Sequence, residues 1–278
     1  MGTDGALARL GLDRVSGFVF DVDGTLVHRG PDGRARPQPG AAEVLDRIRA
    51  SGRPLVLFTN GSHVRSEVMA RGLREDGLEV ADAEMLTPTD SAISYLRRRH
   101  PGQPVRLFGT DPIRERLTEA GIELAGDTGP AAGAVFVAHV DRVDLPSLER
   151  AARDVSAGAA LLTGSYARGY AGAHGIIFSR GAMVTAAIAK AGARRPTIVG
   201  KPSRAALAEV SLRLGVQPQE LAVIGDDAGM DIALGRLGGA RTVLVRSGIS
   251  GAIDSATLPD SRRPDAVIDA VADLLAVL

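Results

Sequence analysis

Residues Phe18-Val-Phe-Asp-Val-Asp-Gly-Thr-Leu26 decide how the rest of the chain is read. An apolar run, Val15 to Phe20, delivers two carboxylates, Asp21 and Asp23, to its carboxyl end, and Gly24 and Thr25 turn the chain away. Acids at i and i+2 fall on the same side of an extended backbone, so both can reach one point in space. At about 4 Å and an effective dielectric near 20, like charges repel by roughly 4 kcal/mol. Folding does not favour such a pair for its own sake; a cation or a chemical task does. Taken alone the stretch is equally a surface turn, because Asp and Gly are turn residues. Three later stretches decide between the two.

Composition narrows the class. A chain of 278 residues with 45% hydrophobic content is long enough for one large domain or two modest ones. Lys+Arg and Asp+Glu are equal at 33 each, so no net field points to nucleic acid or an anionic membrane. With no cysteine there are no disulfides or thiolate metal sites, which fits a cytoplasmic location. No apolar run approaches membrane-spanning length, and the amino terminus lacks a signal-peptide pattern. The only lysines are Lys190 and Lys201. In so Arg-rich a chain a retained lysine is a candidate for a chemical role, which singles out Lys201; Lys190, inside a predicted helix, reads as solvent-facing.

Strand and helix patterns then alternate. A helix is predicted over 41–49, a buried strand over 54–58, and a helix over 63–75 after Thr59-Asn60-Gly61-Ser62. This rhythm indicates βαβ units and a parallel sheet. From about Ala83 the texture changes: strands at 105–108, 134–138 and 159–163 alternate with helices, followed by a glycine-rich stretch, 164–175. The first pattern resumes with a helix over 182–191, Val199-Gly-Lys-Pro-Ser203, a helix over 204–214 and the strand Leu221–Ile224 that ends in Gly225-Asp226-Asp227. A strand at 242–245 and a helix over 269–275 close the chain. The expected architecture is α/β: a doubly wound, Rossmann-like parallel sheet (1–82 and 183–278) carrying an inserted second α/β domain (83–182).

Four polar clusters fall at the carboxyl ends of these strands or just beyond them: Asp21/Asp23, Thr59/Asn60, Lys201 and Asp226/Asp231. In open α/β sheets, ligands bind in the crevice outside those ends. Asp21, Asp23 and Asp226 together would bear a charge near −3, which calls for a hard cation; oxygen ligation suits Mg²⁺. A phosphate would add negative charge that an ammonium, Lys201, and the donors of Thr59, Asn60 and the Gly61 and Ser62 amides could meet.

With these residues in place the chain resembles the haloacid dehalogenase-like superfamily of phosphatases. Asp21-Val-Asp-Gly-Thr25, Thr59-Asn60, Lys201 and Gly225-Asp226…Asp231 match its four motifs in order. More narrowly, Thr59-Asn60-Gly61 and Val199-Gly-Lys-Pro-Ser203 resemble the branch of NagD and the p-nitrophenyl phosphatases, whose C2-type cap lies between motifs two and three. The resemblance implies that Asp21 is the nucleophile and Asp23 the acid and base. It implies Mg²⁺ held by Asp21, the Asp23 carbonyl and Asp226, phosphoryl contacts from Thr59, Asn60 and Gly61, and charge neutralisation by Lys201. Asp231 is expected behind these ligands, and Asp227 beside them as a further acid or a solvated neighbour. Where that branch commonly carries an acidic segment, this chain has Thr163-Gly-Ser-Tyr166, so Tyr166, Arg168, Tyr170 and His174 become candidates for the leaving group, equally readable as a surface loop. His28 and His63, which follow motifs one and two, could border the entrance.

The activity implied is hydrolysis of a small phosphorylated metabolite, without nucleic-acid or membrane partners and with a homodimer left open. A phosphomutase or phosphotransferase on the same scaffold, or a non-catalytic metabolite-binding regulator, is the alternative.

Overall fold

A computed structural model describes residues 7–126, 128–172 and 175–278. They divide into two compact units. The first comprises the chain through Thr59, Ser66–Leu86 and Pro202–Leu278; the second comprises Asn60–Arg65 and Thr87–Lys201.

In the first unit, β1 (Gly17–Phe20), β4 (Leu55–Phe58), β5 (Met85–Leu86), β12 (Leu221–Gly225), β13 (Arg241–Val245) and β14 (Ala266–Ile268) form a six-stranded sheet in the order β14-β13-β12-β1-β4-β5. Every pairing is parallel. The side-chain period of two sends Phe18 and Phe20 of β1 into one apolar cluster and Val19 into another. Both faces are therefore covered, which is why these strands read as continuous apolar runs rather than alternating ones. Burial of each such Phe or Val contributes about 1.5–3 kcal/mol. Because β1 lies between β12 and β4, with Phe20 level with Ile224, the residues just beyond β1 and β12 emerge side by side.

Beyond β1 the chain folds into a two-stranded antiparallel ribbon, β2 (Val27–Arg29) and β3 (Ala35–Pro37), where the sequence suggested only a Pro- and Gly-rich connection. The Asp76 carboxylate anchors it, accepting from Arg34 Nε at 2.7 Å and from the Ala35 amide at 2.7 Å. Strands β5 and β14 were likewise illegible, being only two and three residues long. The closing segment is a 3₁₀ helix, Val271–Ala276, rather than an α-helix.

The second unit is built on a four-stranded parallel sheet in the order β11-β8-β7-β6: β6 (Val105–Phe108), β7 (Ala134–Val137), β8 (Ala160–Thr163) and β11 (Thr197–Ile198). Phe108, Val135, Val137, Val155, Leu161 and Ile188 share its core. A second ribbon pairs β9 (Gly169–Gly172) with β10 (Gly175–Phe178). The helix Pro88–Arg99 starts cleanly because the Asp90 carboxylate accepts from both the Thr87 amide (3.0 Å) and its hydroxyl (2.7 Å). Between β6 and the helix Leu145–Ser156, Arg106 Nε meets Asp154 Oδ2 at 2.6 Å with both side chains nearly buried.

The expected limits at 83 and 182 are corrected. Residues 83–86 stay with the first unit because β5 pairs with β4, and the helix Arg180–Ala191 joins the second unit along with β11, which pairs with β8. Among the described residues, no helix is long and apolar enough to cross a membrane.

Two outcomes follow for stability. Asp154→Ala leaves the Arg106 guanidinium uncompensated and is expected to cost about 3–5 kcal/mol in denaturant unfolding, whereas Arg106→Met with Asp154→Leu is expected to recover most of it. At Asp76, the Arg34 guanidinium and then the Ala35 amide hold the carboxyl below its ordinary value. Its contribution is therefore present above the unfolded pKa and lost as pH falls through the lower, folded one. Asp76→Asn should lower Tm at neutral pH, and the gap from wild type should close in acid.

Candidate active site

The first unit brings three carboxylates together. Asp21, Asp226 and Asp231 each offer an oxygen, and these oxygens lie within 4.8 Å of one another. Strand register explains two of them: the Asp21 amide donates to the Ile224 carbonyl at 2.9 Å, so Asp21 continues the β1–β12 ladder next to the strand that ends before Asp226. Asp231 arrives by another route. Residues Ala228–Ile232 form a single π-helical turn, a geometry frequent at functional sites, which folds Asp231 back over Gly225. A Cβ on Gly225 would stand 2.3 Å from the Asp231 carboxylate carbon, so only glycine admits the turn.

The buried Asp226 is gripped closely. Ile249 N–H donates to its Oδ2 at 2.7 Å, and the Ser250 amide donates to its backbone carbonyl at 3.1 Å. Added Cβ atoms on Gly24 and Gly248 would lie 2.4 and 1.9 Å from Asp226 Oδ2. Gly24 also has φ +90°, in the left-handed region where a side chain is strained. Asp231 Oδ2 accepts from the Asp227 amide at 3.1 Å. At this spacing each pair of like charges costs about 3 kcal/mol at an effective dielectric near 20. The donors are oxygen alone, which fits a hard divalent cation such as Mg²⁺ and not a soft metal.

This geometry revises the expectation for Asp23. The strand ends at Phe20, and the amides of Thr25, Leu26 and Val27 all donate to the Val22 carbonyl, so the backbone is turning where extended geometry was assumed. The Asp23 side chain is not among the three clustered carboxylates; it pairs with Arg29 of β2 at 2.7 Å, both about half exposed. Asp231, expected behind the ligands, takes its place in the cluster. Asp227 lies outside that group of three; its Oδ1 caps the π turn, accepting from the Gly229 (2.7 Å) and Met230 (3.2 Å) amides.

The second unit brings together the other two motifs. Asn60 and the buried Lys201 are joined reciprocally: Lys201 N–H donates to Asn60 Oδ1 and Asn60 Nδ2 donates to the Lys201 carbonyl, both at 2.9 Å. Gly200 permits this approach, since a Cβ there would stand 2.8 Å from Asn60 Oδ1 and 2.2 Å from the Gly164 carbonyl. Thr59, the last residue of the first unit, is buried, and its amide donates to the Leu86 carbonyl at 3.2 Å. The helix expected from His63 begins only at Ser66, so the Gly61 and Ser62 amides are not its first turn and the helix-dipole argument for them lapses.

The remaining candidates are scattered. His28 is exposed on β2. His63 sets its ring edge-on to His139 at 5.9 Å, and its carbonyl accepts from Thr110 Oγ1 at 2.9 Å. Tyr166 is exposed, and the Arg168 guanidinium lies over the Phe178 ring at 5.4 Å. Tyr170 sits opposite Ile177 in the β9–β10 ribbon. His174 lies outside the described residues. Sequence reasoning passed over Arg29 and the glycines that cradle the carboxylates; Gly24 and Gly225, adjoining Asp23 and Asp226, were the available signal.

Comparison with known proteins agrees with this arrangement. Residues 18–123 match the haloacid dehalogenase-like hydrolase profile, and residues 198–274 match a HAD-hydrolase-like one. The ribonucleotide monophosphatase NagD of Escherichia coli K12 is 29% identical over 263 residues, covering 94% of this chain and 98% of that protein. The structure of a p-nitrophenyl phosphatase from Archaeoglobus fulgidus superposes with a TM-score of 0.83 at 26% identity, covering 95% of this chain and 99% of that one. A glycerol phosphate phosphatase from Mycobacterium tuberculosis, solved in complex with magnesium, shares the fold (TM-score 0.82, 24% identity, covering 94% of this chain and 77% of that one). Motif order, parallel sheet and clustered aspartates coincide with these matches: the chain belongs to the haloacid dehalogenase-like hydrolases, in the branch of NagD and the p-nitrophenyl phosphatases.

Proposed function

We propose that this phosphatase is a Mg²⁺-dependent phosphomonoester hydrolase that takes a small phosphorylated metabolite through an aspartyl-phosphate on Asp21. The observation that carries the reading is the all-oxygen group of Asp21, Asp226 and Asp231 at the ends of β1 and β12. Asp21, the backbone carbonyl of Asp23 and Asp226 would hold the ion, with Asp231 completing the acidic group. Bound Mg²⁺ would offset the crowded carboxylate charge and that of the phosphoryl oxygens.

The chain's own residues carry the two half-reactions. An Asp21 carboxylate oxygen attacks phosphorus, the bond from phosphorus to the leaving oxygen breaks, and the protonated Asp23 carboxyl gives that oxygen its proton. Asp23, now a carboxylate, takes a proton from water, whose oxygen attacks the phosphoryl group and releases Asp21. Asp23 reaches the leaving oxygen by exchanging its contact with Arg29. Thr59, Asn60 and Gly61 bind phosphoryl oxygens, and Lys201 neutralises charge that grows in the transition state. Uncatalysed phosphate-monoester hydrolysis is slow enough to require acceleration of up to ~10²¹-fold, so preorganised charge is the right resource. The second unit, as a cap, selects the leaving group; exposed Tyr166 and Arg168 support that assignment.

Phosphate release from p-nitrophenyl phosphate is expected to require Mg²⁺ and to stop on chelation. Asp21→Asn is expected to lower kcat by at least ~10³-fold without unfolding the protein, its metal-free Tm standing no lower than wild type because two carboxylate repulsions are relieved. A wild-type protein that binds Mg²⁺ yet releases no phosphate from any nucleoside, sugar, glycerol or pyridoxal phosphate tested would overturn the hydrolase reading. Gly248→Ala, which forces Asp226 aside, should raise the Mg²⁺ dissociation constant by about tenfold or more in calorimetric titration.

A further inference from the structure

The ribbon β2–β3 ends by placing one polar side chain beneath the Asp21 loop. The Gln38 amide donates to the Leu26 carbonyl at 2.8 Å, and its side chain is buried at 8% exposure. Gln38 Nε2 donates to the Gly24 carbonyl and to Ser247 Oγ, both at 3.0 Å, while Ser247 Oγ donates to the same Gly24 carbonyl at 2.7 Å. The orientation of the Gln38 amide follows from this: a carbonyl only accepts, so the NH₂ must face Gly24. Gly24 is the residue on which an added Cβ would stand 2.4 Å from Asp226 Oδ2, and Ser247 begins the turn whose Ile249 amide holds that same oxygen. The closed triangle of Gln38, Ser247 and Gly24 thus joins the turn that carries Asp21 and Asp23 to the turn that grips Asp226.

We propose that Gln38 and Ser247 are positioning residues for the divalent-cation site: they hold the Gly24–Thr25 peptide, which directly follows the Asp23 carbonyl unit, and the Ser247–Gly251 turn at the separation the ion requires. Neither touches the reacting atoms. Their effect passes through the Gly24 carbonyl, whose two hydrogen bonds stop that peptide from rotating, and through the turn that aims the Ile249 amide. The inference rests on the metal reading above and deepens it.

Calorimetric titration of the full chain with Mg²⁺ tests this without reference to turnover. Gln38→Leu and Ser247→Ala should each raise the dissociation constant by about tenfold, the usual lower bound for losing a group that orients a metal ligand. Ser247→Thr, which keeps the hydroxyl, should restore wild-type affinity. The double variant should bind little worse than either single one, because the three groups act as a unit. Unchanged Mg²⁺ affinity in Gln38→Leu and Ser247→Ala, whatever their metal-free Tm, overturns the assignment and leaves the hydrolase reading standing. A wild-type chain with no Mg²⁺ affinity overturns the metal reading and this assignment together.

Discussion

Three carboxylates, each with an oxygen within 4.8 Å of the other two, are the constraint to which the rest of the first unit answers. Left to themselves they would separate, since each pair repels by about 3 kcal/mol even at moderate dielectric. The fold holds them with backbone: a parallel ladder sets Asp21 beside β12, the Ile249 amide fixes Asp226, and a π turn capped by Asp227 returns Asp231. Side chains of neighbouring residues are removed to make room, which is the common role of Gly24, Gly225 and Gly248. A site so crowded with one sign of charge, and so fully held by backbone, suits a hard cation.

The same economy governs the second unit. Asn60 and Lys201 stand far apart in sequence, yet a reciprocal pair of hydrogen bonds ties the side chain of one to the backbone of the other. The Asn60 amide thereby positions the Lys201 backbone, and Gly200 is small because the two segments meet there. The meeting of these two motifs is thus made by backbone and amide hydrogen bonds.

Much of this was legible from residue patterns. The long apolar strands were, because a sheet buried on both faces writes an uninterrupted hydrophobic run. Polar groups at strand ends were legible for the same reason, as breaks in such runs. Short edge elements were not: β2, β3, β5 and β14 have two or three residues each, too few to show a period, and they exist because a neighbouring backbone supplies partners. The placement of Asp23 failed because it assumed the strand continued two residues further than it does. The domain limits failed because strand pairing, not composition, assigns β5 and β11 to their units.

The order of motifs along the chain, the oxygen-only chemistry of their acids and the presence of just two lysines, Lys190 and Lys201, among many arginines were settled by the amino-acid sequence itself, since these are properties of residue type and local spacing. Which acids cluster, what Asp227 does, and the meeting of Gln38 with Ser247 across 209 positions were decided only by tertiary structure. Such contacts depend on strand register and on the path of turns. Those are fixed by packing summed over the whole unit, and no local stretch of residues contains that sum.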